Sequence, residues 1–236
     1  MRAGSQAAEV TRTLGSPGRG AAASHGVGGN AIIAVSEAML GSQMIDVTEE
    51  VRAFAAPSFG PGSPLAHVIA DLCSRIHSEI EYKSGSTTIN TRLPELLERR
   101  QGVCQDFAHL LIACMRSMGL AARYVSGYIE TNPPPGRAKL RGVDASHAWA
   151  SVWVPGGGWV HVDPTNDQFI DSRYVVLGWG RDYRDVSPLR GIVFTEGAGS
   201  SLKVGVDLME LTAEEVEEVR SSHASSSRAG HRGPQR

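Results

Sequence analysis

Apolar residues recur at helical spacing in "SPLAHVIADLCSRIHSEIEY", where Leu65, Val68, Ile69, Leu72, Ile76 and Ile80 share one face behind Ser63 and Pro64. That repeat, with a Ser-Pro start, predicts an amphipathic helix. Cys73 adjoins its apolar face and reads as core filler, while His77 lies among polar positions. "PELLERR" predicts a short helix opened by Pro94, since a first helical position has no use for the missing N–H. From Cys104 onward, Phe107, Leu110, Leu111, Cys114, Met115 and Met118 form a second stripe that Gly119 ends. This predicts a central helix with Cys104 at its start.

Beyond Gly119 the period changes to two. "ARYVSGYIE", "HAWASVWV", "GWVHVDP", "SRYVVLG", "GIVFTE" and "SLKVGVDLME" read as strands joined mostly by Gly and Pro turns. Helices followed by an antiparallel sheet make an α+β fold. In "SHAWASVWV" alternation puts His147, Trp149, Ser151 and Trp153 on one face and Ala148, Ala150, Val152 and Val154 on the other. The same rule groups Trp159, His161 and Asp163, and the "PGGG" connector makes the two strands a hairpin. With Trp153 facing Trp159, Asp163 lies opposite Trp149 and diagonal to His147. An imidazole and a carboxylate are then neighbours.

The ends differ from this middle. Residues 1–41 read as a disordered or truncated N-terminal segment: 1–30 are rich in Gly, Ala and Ser and bury too little apolar surface to offset ordering, and "AIIAVSEAML" is apolar, short and ambiguous. Residues 42–208 form the organised unit, and 209–236 a polar tail in which "TAEEVEEVR" can add a helical turn.

Composition narrows the function. A chain of 236 residues, 41% hydrophobic, can bury one sizeable core. Lys and Arg total 23 against 25 Asp and Glu, a formal charge of -2, which argues against nucleic acid and anionic membrane surfaces as partners. No apolar run approaches the roughly 18 residues of a membrane span, and no signal-peptide core opens the chain, so the expected location is cytoplasmic. Three cysteines without CxxC spacing suit reduced thiols.

One thiol suits chemistry. The first turn of a helix carries unpaired N–H groups and partial positive charge, so Cys104 stands where a thiolate is stabilised and a backbone N–H can donate to an oxyanion. A histidine can accept the proton, and an aspartate can fix its tautomer. Cys104, His147 and Asp163 form that set. Asp106, an anion in the same turn, opposes a thiolate unless its side chain turns away or finds a cation. As alternatives, His147 alone could be a satisfied core histidine, Asp163 before Pro164 could start a turn, and His161 with Asp163 and His147 could bind zinc. In "GRDY", Asp182 could lie near the site or form a turn ion pair.

"GVCQDFAHL", "ARYVSGYI", "DASHAWASVWVPGGGWVHVDPTN" and "GRDYRDV" resemble the bacterial branch of the transglutaminase-like superfamily, a papain-related cysteine enzyme family. The resemblance covers about Ser42 to Leu208. It implies a papain-like core in which Cys104 is the nucleophile, His147 the base and Asp163 its orienting partner, with a helix packed on an antiparallel sheet. Two departures stand out. The family branch usually carries a strand-rich domain before the helices, which the first forty or so residues do not resemble. The animal enzymes have a tryptophan after the cysteine, where this chain has Gln105.

The expected activity is thioester-forming acyl transfer from a peptide or protein carboxamide, mainly to water, hence a protease or amidase. Protein-glutamine amine transfer is the alternative, and a non-catalytic binding module with an incomplete groove is the competing class. No cofactor or metal is expected, since no calcium-loop pattern occurs and the three side chains supply both nucleophile and base.

Overall fold

The helical stripes and the period-two segments fold into two layers. The computed structural model describes residues 29–131, 145–187, 205–209 and 211–218. In chain order the helices are α1 (Gly29–Glu37), α2 (Glu49–Ala55), α3 (Leu65–Glu79), α4 (Leu93–Arg99), α5 (Cys104–Ser117) and α6 (213–218). The strands are β1 (Glu81–Tyr82), β2 (Gln101–Gly102), β3 (Ala122–Ile129), β4 (Ala145–Val154), β5 (Gly158–Asp163), β6 (Gln168–Phe169) and β7 (Tyr174–Gly180). β1 and β2 pair in parallel; the other five form one antiparallel sheet in the order β6-β5-β4-β3-β7. Among the described residues no helix is long and apolar enough to cross a membrane.

α5 is the centre. Phe107 to Met115 are buried between the inner face of the sheet (Tyr124, Ala148, Ala150, Val152 and Val162) and residues of α2, α3 and α4 such as Phe54, Leu72, Ile76 and Leu96. A helix covered on all sides needs more than one apolar stripe, which is why Ala108, Ile112 and Ala113 are buried beside the predicted positions. The other face of the sheet carries a smaller cluster of Val125, Trp149 and Tyr174. Leu110 and Leu111 are fully buried, so truncating either to alanine costs about 2–5 kcal/mol.

Arg116 fastens this layer to the rest. Its buried guanidinium donates to the carbonyls of Ala38 (3.0 Å), Ala122 (2.9 Å) and Arg181 (2.8 Å), and to Ser42 Oγ (3.3 Å). Arg116→Met takes the guanidinium donor away from all three carbonyls, of which that of Ala38 keeps the Ala122 N–H (3.1 Å). It should lower stability by about 3 kcal/mol or more in urea unfolding. A loss below about 0.5 kcal/mol would show that water replaces the guanidinium.

"AIIAVSEAML", ambiguous by its pattern, supplies most of α1, with Ile32 and Ile33 exposed; residues 1–28 are outside the described ones. α6 lies in the expected tail, capped reciprocally by Thr212 and Glu215: Thr212 N–H donates to the Glu215 carboxylate (2.7 Å) and Glu215 N–H to Thr212 Oγ1 (3.3 Å). Of the expected strand "SLKVGVDLME", residues 205–209 belong to no strand; alternation gives a strand only where the backbone joins a ladder. "GIVFTE", residues 132–144 of the loop after β3 and residues 219–236 lie outside the described residues.

Candidate functional site

The approach to Cys104 is tightly specified. α4 ends at Arg100 in the left-handed conformation (φ 53°), and β2 is clamped to β1 by Glu81 N–H to Arg100 O (2.8 Å) and Lys83 N–H to Gly102 O (2.9 Å). Gly102 suits this close approach: a Cβ there would lie 2.7 Å from Leu96 Cδ1 and 3.1 Å from Asp106 Cβ, so a larger residue would have to displace the buried Leu96 side chain. Val103 caps α5 without a side-chain acceptor, so Asp106 serves the helix start: its Oδ2 accepts from Val103 N–H (2.9 Å) and Thr87 Oγ1 (2.6 Å). This engages the carboxylate that threatened the thiolate. Burial raises the Asp106 pKa, while these two bonds oppose the rise.

Cys104, partly exposed, is the first residue of α5, so its N–H has no partner within the helix. The other two thiols are buried. Burial pushes Cys114 up to about 12 and Cys73 well above its ordinary value, leaving both protonated and unreactive.

The β4–β5 register pairs Trp153 with Trp159, Ser151 with His161 and Ala150 with Val162. Continued by one residue, it sets Asp163 opposite Trp149, and His147 Nε2 lies 2.7 Å from Asp163 Oδ2. With Nε2 held, Nδ1 is the nitrogen left for proton exchange.

Asp163 is held from several sides. Its Oδ2 accepts from Tyr174 OH (2.7 Å) and Asn166 Nδ2 (2.6 Å), and its Oδ1 from Thr165 N–H (2.9 Å). Gln168 Nε2 donates to the Tyr174 oxygen (2.8 Å). α3 pins the same loop from below through Ser74 Oγ to Asp167 (2.7 Å), Cys73 Sγ to Asp163 O (3.4 Å) and His77 Nδ1 to Thr165 O (2.9 Å). Cys73 and His77 therefore position this loop in addition to their packing and surface roles.

Burial disfavours a charged His147, but the hydrogen bonds and negative charges of Asp163 and Cys104 outweigh it and raise the imidazolium pKa to about 10. Asp163, in turn, is desolvated, yet its bonds to His147, Tyr174 and Asn166 hold it below the ordinary carboxylate range. A folded pKa above the unfolded value of about 6.5 stabilises the fold fully below pH 6.5. That contribution is lost as pH rises towards 10. The thermal stability advantage of the wild type over His147→Gln should therefore shrink between pH 6.5 and 10; an advantage that stays constant would contradict the charged pair.

Other sequence candidates take structural places. Asp182 is buried, with Oδ2 accepting from Met44 N–H (3.0 Å) and Oδ1 from Arg184 N–H (2.8 Å), so it staples a turn; the ion pair there is Arg181 with Asp185 (3.0 Å). Trp149 is buried against Tyr174 and donates through Nε1 to His161 Nδ1 (3.0 Å), and Trp153 meets Trp159 edge-on. Burial, helped by Arg123, lowers His161 to about 4 and keeps it neutral, as that bond requires. Among the described residues no three His, Cys, Asp or Glu side chains converge as metal ligands. Gly127 is needed beneath Trp149, since a Cβ would lie 2.1 Å from Val175 O and 2.5 Å from the indole.

Sequence reasoning missed Tyr174, Asn166 and Gln168. Asn166 stood inside the quoted "DPTN", where an amide three residues after the aspartate was the available signal.

Residues 52–164 match the family model described as the transglutaminase-like superfamily. An uncharacterized protein of Mycobacterium tuberculosis is 55% identical over 168 residues, 70% of this chain and 54% of that protein. The chain thus spans about half the length of that relative. The protein-glutamine gamma-glutamyltransferase of Pseudomonas aeruginosa is 39% identical over 72 residues, 30% of this chain and 11% of that protein. A crystal structure of a proposed cysteine protease from Cytophaga hutchinsonii matches with TM-score 0.55 and 28% identity, over 68% of this chain and 50% of that one.

Proposed function

Because the chain carries a transglutaminase-like core with a papain-like fold, we propose that it is a thiol acyl-transfer enzyme with Cys104 as nucleophile, His147 as base and acid, and Asp163 as the group that orients the imidazole. The observation that carries this is the 2.7 Å contact between His147 Nε2 and Asp163 Oδ2, with the Cys104 charge acting on the same imidazolium.

The Cys104 thiolate adds to a peptide or glutamine-type carbonyl carbon, forming the C–S bond and sending the carbonyl electron pair to oxygen. When that pair returns, the C–N bond breaks and the departing amine takes the proton from His147 Nδ1. Water, activated by the now neutral imidazole, then opens the thioester and regenerates the thiolate–imidazolium pair.

Hydrolysis is the favoured outcome. Transfer to an amine needs a site that binds the amine and excludes the more concentrated water. Trp149 and the Trp153–Trp159 pair, the aromatic side chains that could wall such a site, are occupied by packing. The relatives carry both activities in their names: protein cleavage in one, transfer of the gamma-glutamyl group of glutamine in the other. Incubation of carbobenzoxy-Gln-Gly and a glutamine-containing peptide with excess labelled alkylamine separates them. Ammonia leaves the glutamine on both routes, so hydrolysis is read as glutamate formed and peptide cleaved, and these should exceed the amine adduct. Adduct exceeding hydrolysis at millimolar amine would establish transfer, and no turnover of either substrate would favour a binding module.

A further inference from the structure

Addition of a thiolate to a carbonyl puts a full negative charge on oxygen, and the helix start supplies one donor for it, the Cys104 N–H. A second aimed donor is the usual requirement for stabilising such a charge. We propose that the Tyr82 hydroxyl is that donor, a catalytic residue that shares the oxyanion with the Cys104 N–H. The proposal rests on the reading of Cys104 as nucleophile.

Neighbouring polar side chains are committed elsewhere. Gln105 is buried and its amide donates towards Ile89 O (3.4 Å); Asp106 accepts at the helix cap; Tyr124 is 2% exposed, on the core side of the sheet; His147 is tied to Asp163. Tyr82 is 54% exposed, and its hydroxyl makes no hydrogen bond among the described residues.

Its placement is specific. β1 exists only as a two-residue ladder to β2, in which Tyr82 pairs with Gly102, two residues before Cys104. The phenol ring rests edge-on against Phe107, one helical turn past Cys104, with centroids 6.3 Å apart and planes at 78°. A backbone register and a ring contact thus bracket Cys104 from both sides in sequence and hold an exposed phenol beside the first turn of α5. Partial burial, and then the negative charge of Cys104, raise the Tyr82 pKa. The hydroxyl therefore keeps its proton at neutral pH and can donate.

Two small reagents test this without knowledge of the natural substrate. p-Nitrophenyl acetate acylates a thiolate through an oxyanion; iodoacetamide alkylates it by displacement, with none. In Tyr82→Phe, acylation of Cys104, followed by p-nitrophenolate release and peptide mass spectrometry, should fall by about 10²-fold, as for loss of one oxyanion donor. Alkylation of Cys104 should stay within about twofold of wild type. Tyr82 is an exposed residue whose hydroxyl makes no hydrogen bond among the described residues, so the melting temperature should not change. Equal acylation rates in Tyr82→Phe and wild type, or a parallel fall of both reactions, would overturn the oxyanion role. Failure of wild-type Cys104 to react with either reagent faster than Cys73 and Cys114 would instead overturn the nucleophile assignment beneath it.

Discussion

Cys104→Ala should reduce turnover of any amide or ester substrate to background, a loss on the order of 10⁶ in kcat, with the fold intact. The position tolerates the change: Cys104 is partly exposed at the start of α5, alanine favours helix, and the start is fastened by Asp106 and the β1–β2 ladder, not by the thiol. No other thiol can stand in. Cys73 and Cys114 are buried, protonated and on the core side of their helices. Kinetics and far-UV circular dichroism on the same preparation check both halves; residual activity above one per cent would remove Cys104 from the mechanism.

Asp163→Asn should lower kcat by up to about 10⁴ and leave KM nearly unchanged. The carboxylate accepts from His147, Tyr174 and Asn166, while an amide offers a donor to at least one of these donors. His147 Nε2 must then become an acceptor, which moves the ring proton to Nδ1 and blocks the nitrogen left for proton exchange. The imidazolium also loses its neighbouring charge, so the stability advantage at neutral pH declines with the rate. Steady-state kinetics decide the matter: a variant within tenfold of wild-type kcat, or one whose loss lies in KM, would show that Asp163 only starts the following turn.

Much of this arrangement was legible in local pattern. Strict alternation through His147 to Val154 and through Trp159 to Asp163, joined by "PGGG", fixed the hairpin register and hence the His147–Asp163 neighbourhood, because side chains two residues apart must share a face. The helical stripe ending at Gly119 likewise located Cys104 at a helix start. What escaped depends on contacts between distant segments. Arg116, in the last turn of a helix, reads as a solvated cation complementing the dipole, and only the fold shows carbonyls of residues 38, 122 and 181 meeting around it. Tyr174 reads as one more strand residue until β7 brings its hydroxyl to Asp163. Tyr82 sits in a strand of two residues, too short to leave any period. α1 was ambiguous because its apolar residues do not form a buried face: Ile32 and Ile33 stay exposed.

The central claim is that Cys104 alone is an activated thiol, paired with His147. Alkylation by iodoacetamide at neutral pH, resolved by cysteine with peptide mass spectrometry, tests it most directly. Cys104 should be modified first and to completion in the folded protein, with Cys73 and Cys114 labelled only after denaturation, and His147→Gln should slow the Cys104 reaction by at least about tenfold. Equal labelling of the three cysteines in the native protein, or a Cys104 rate indifferent to His147, would contradict the account.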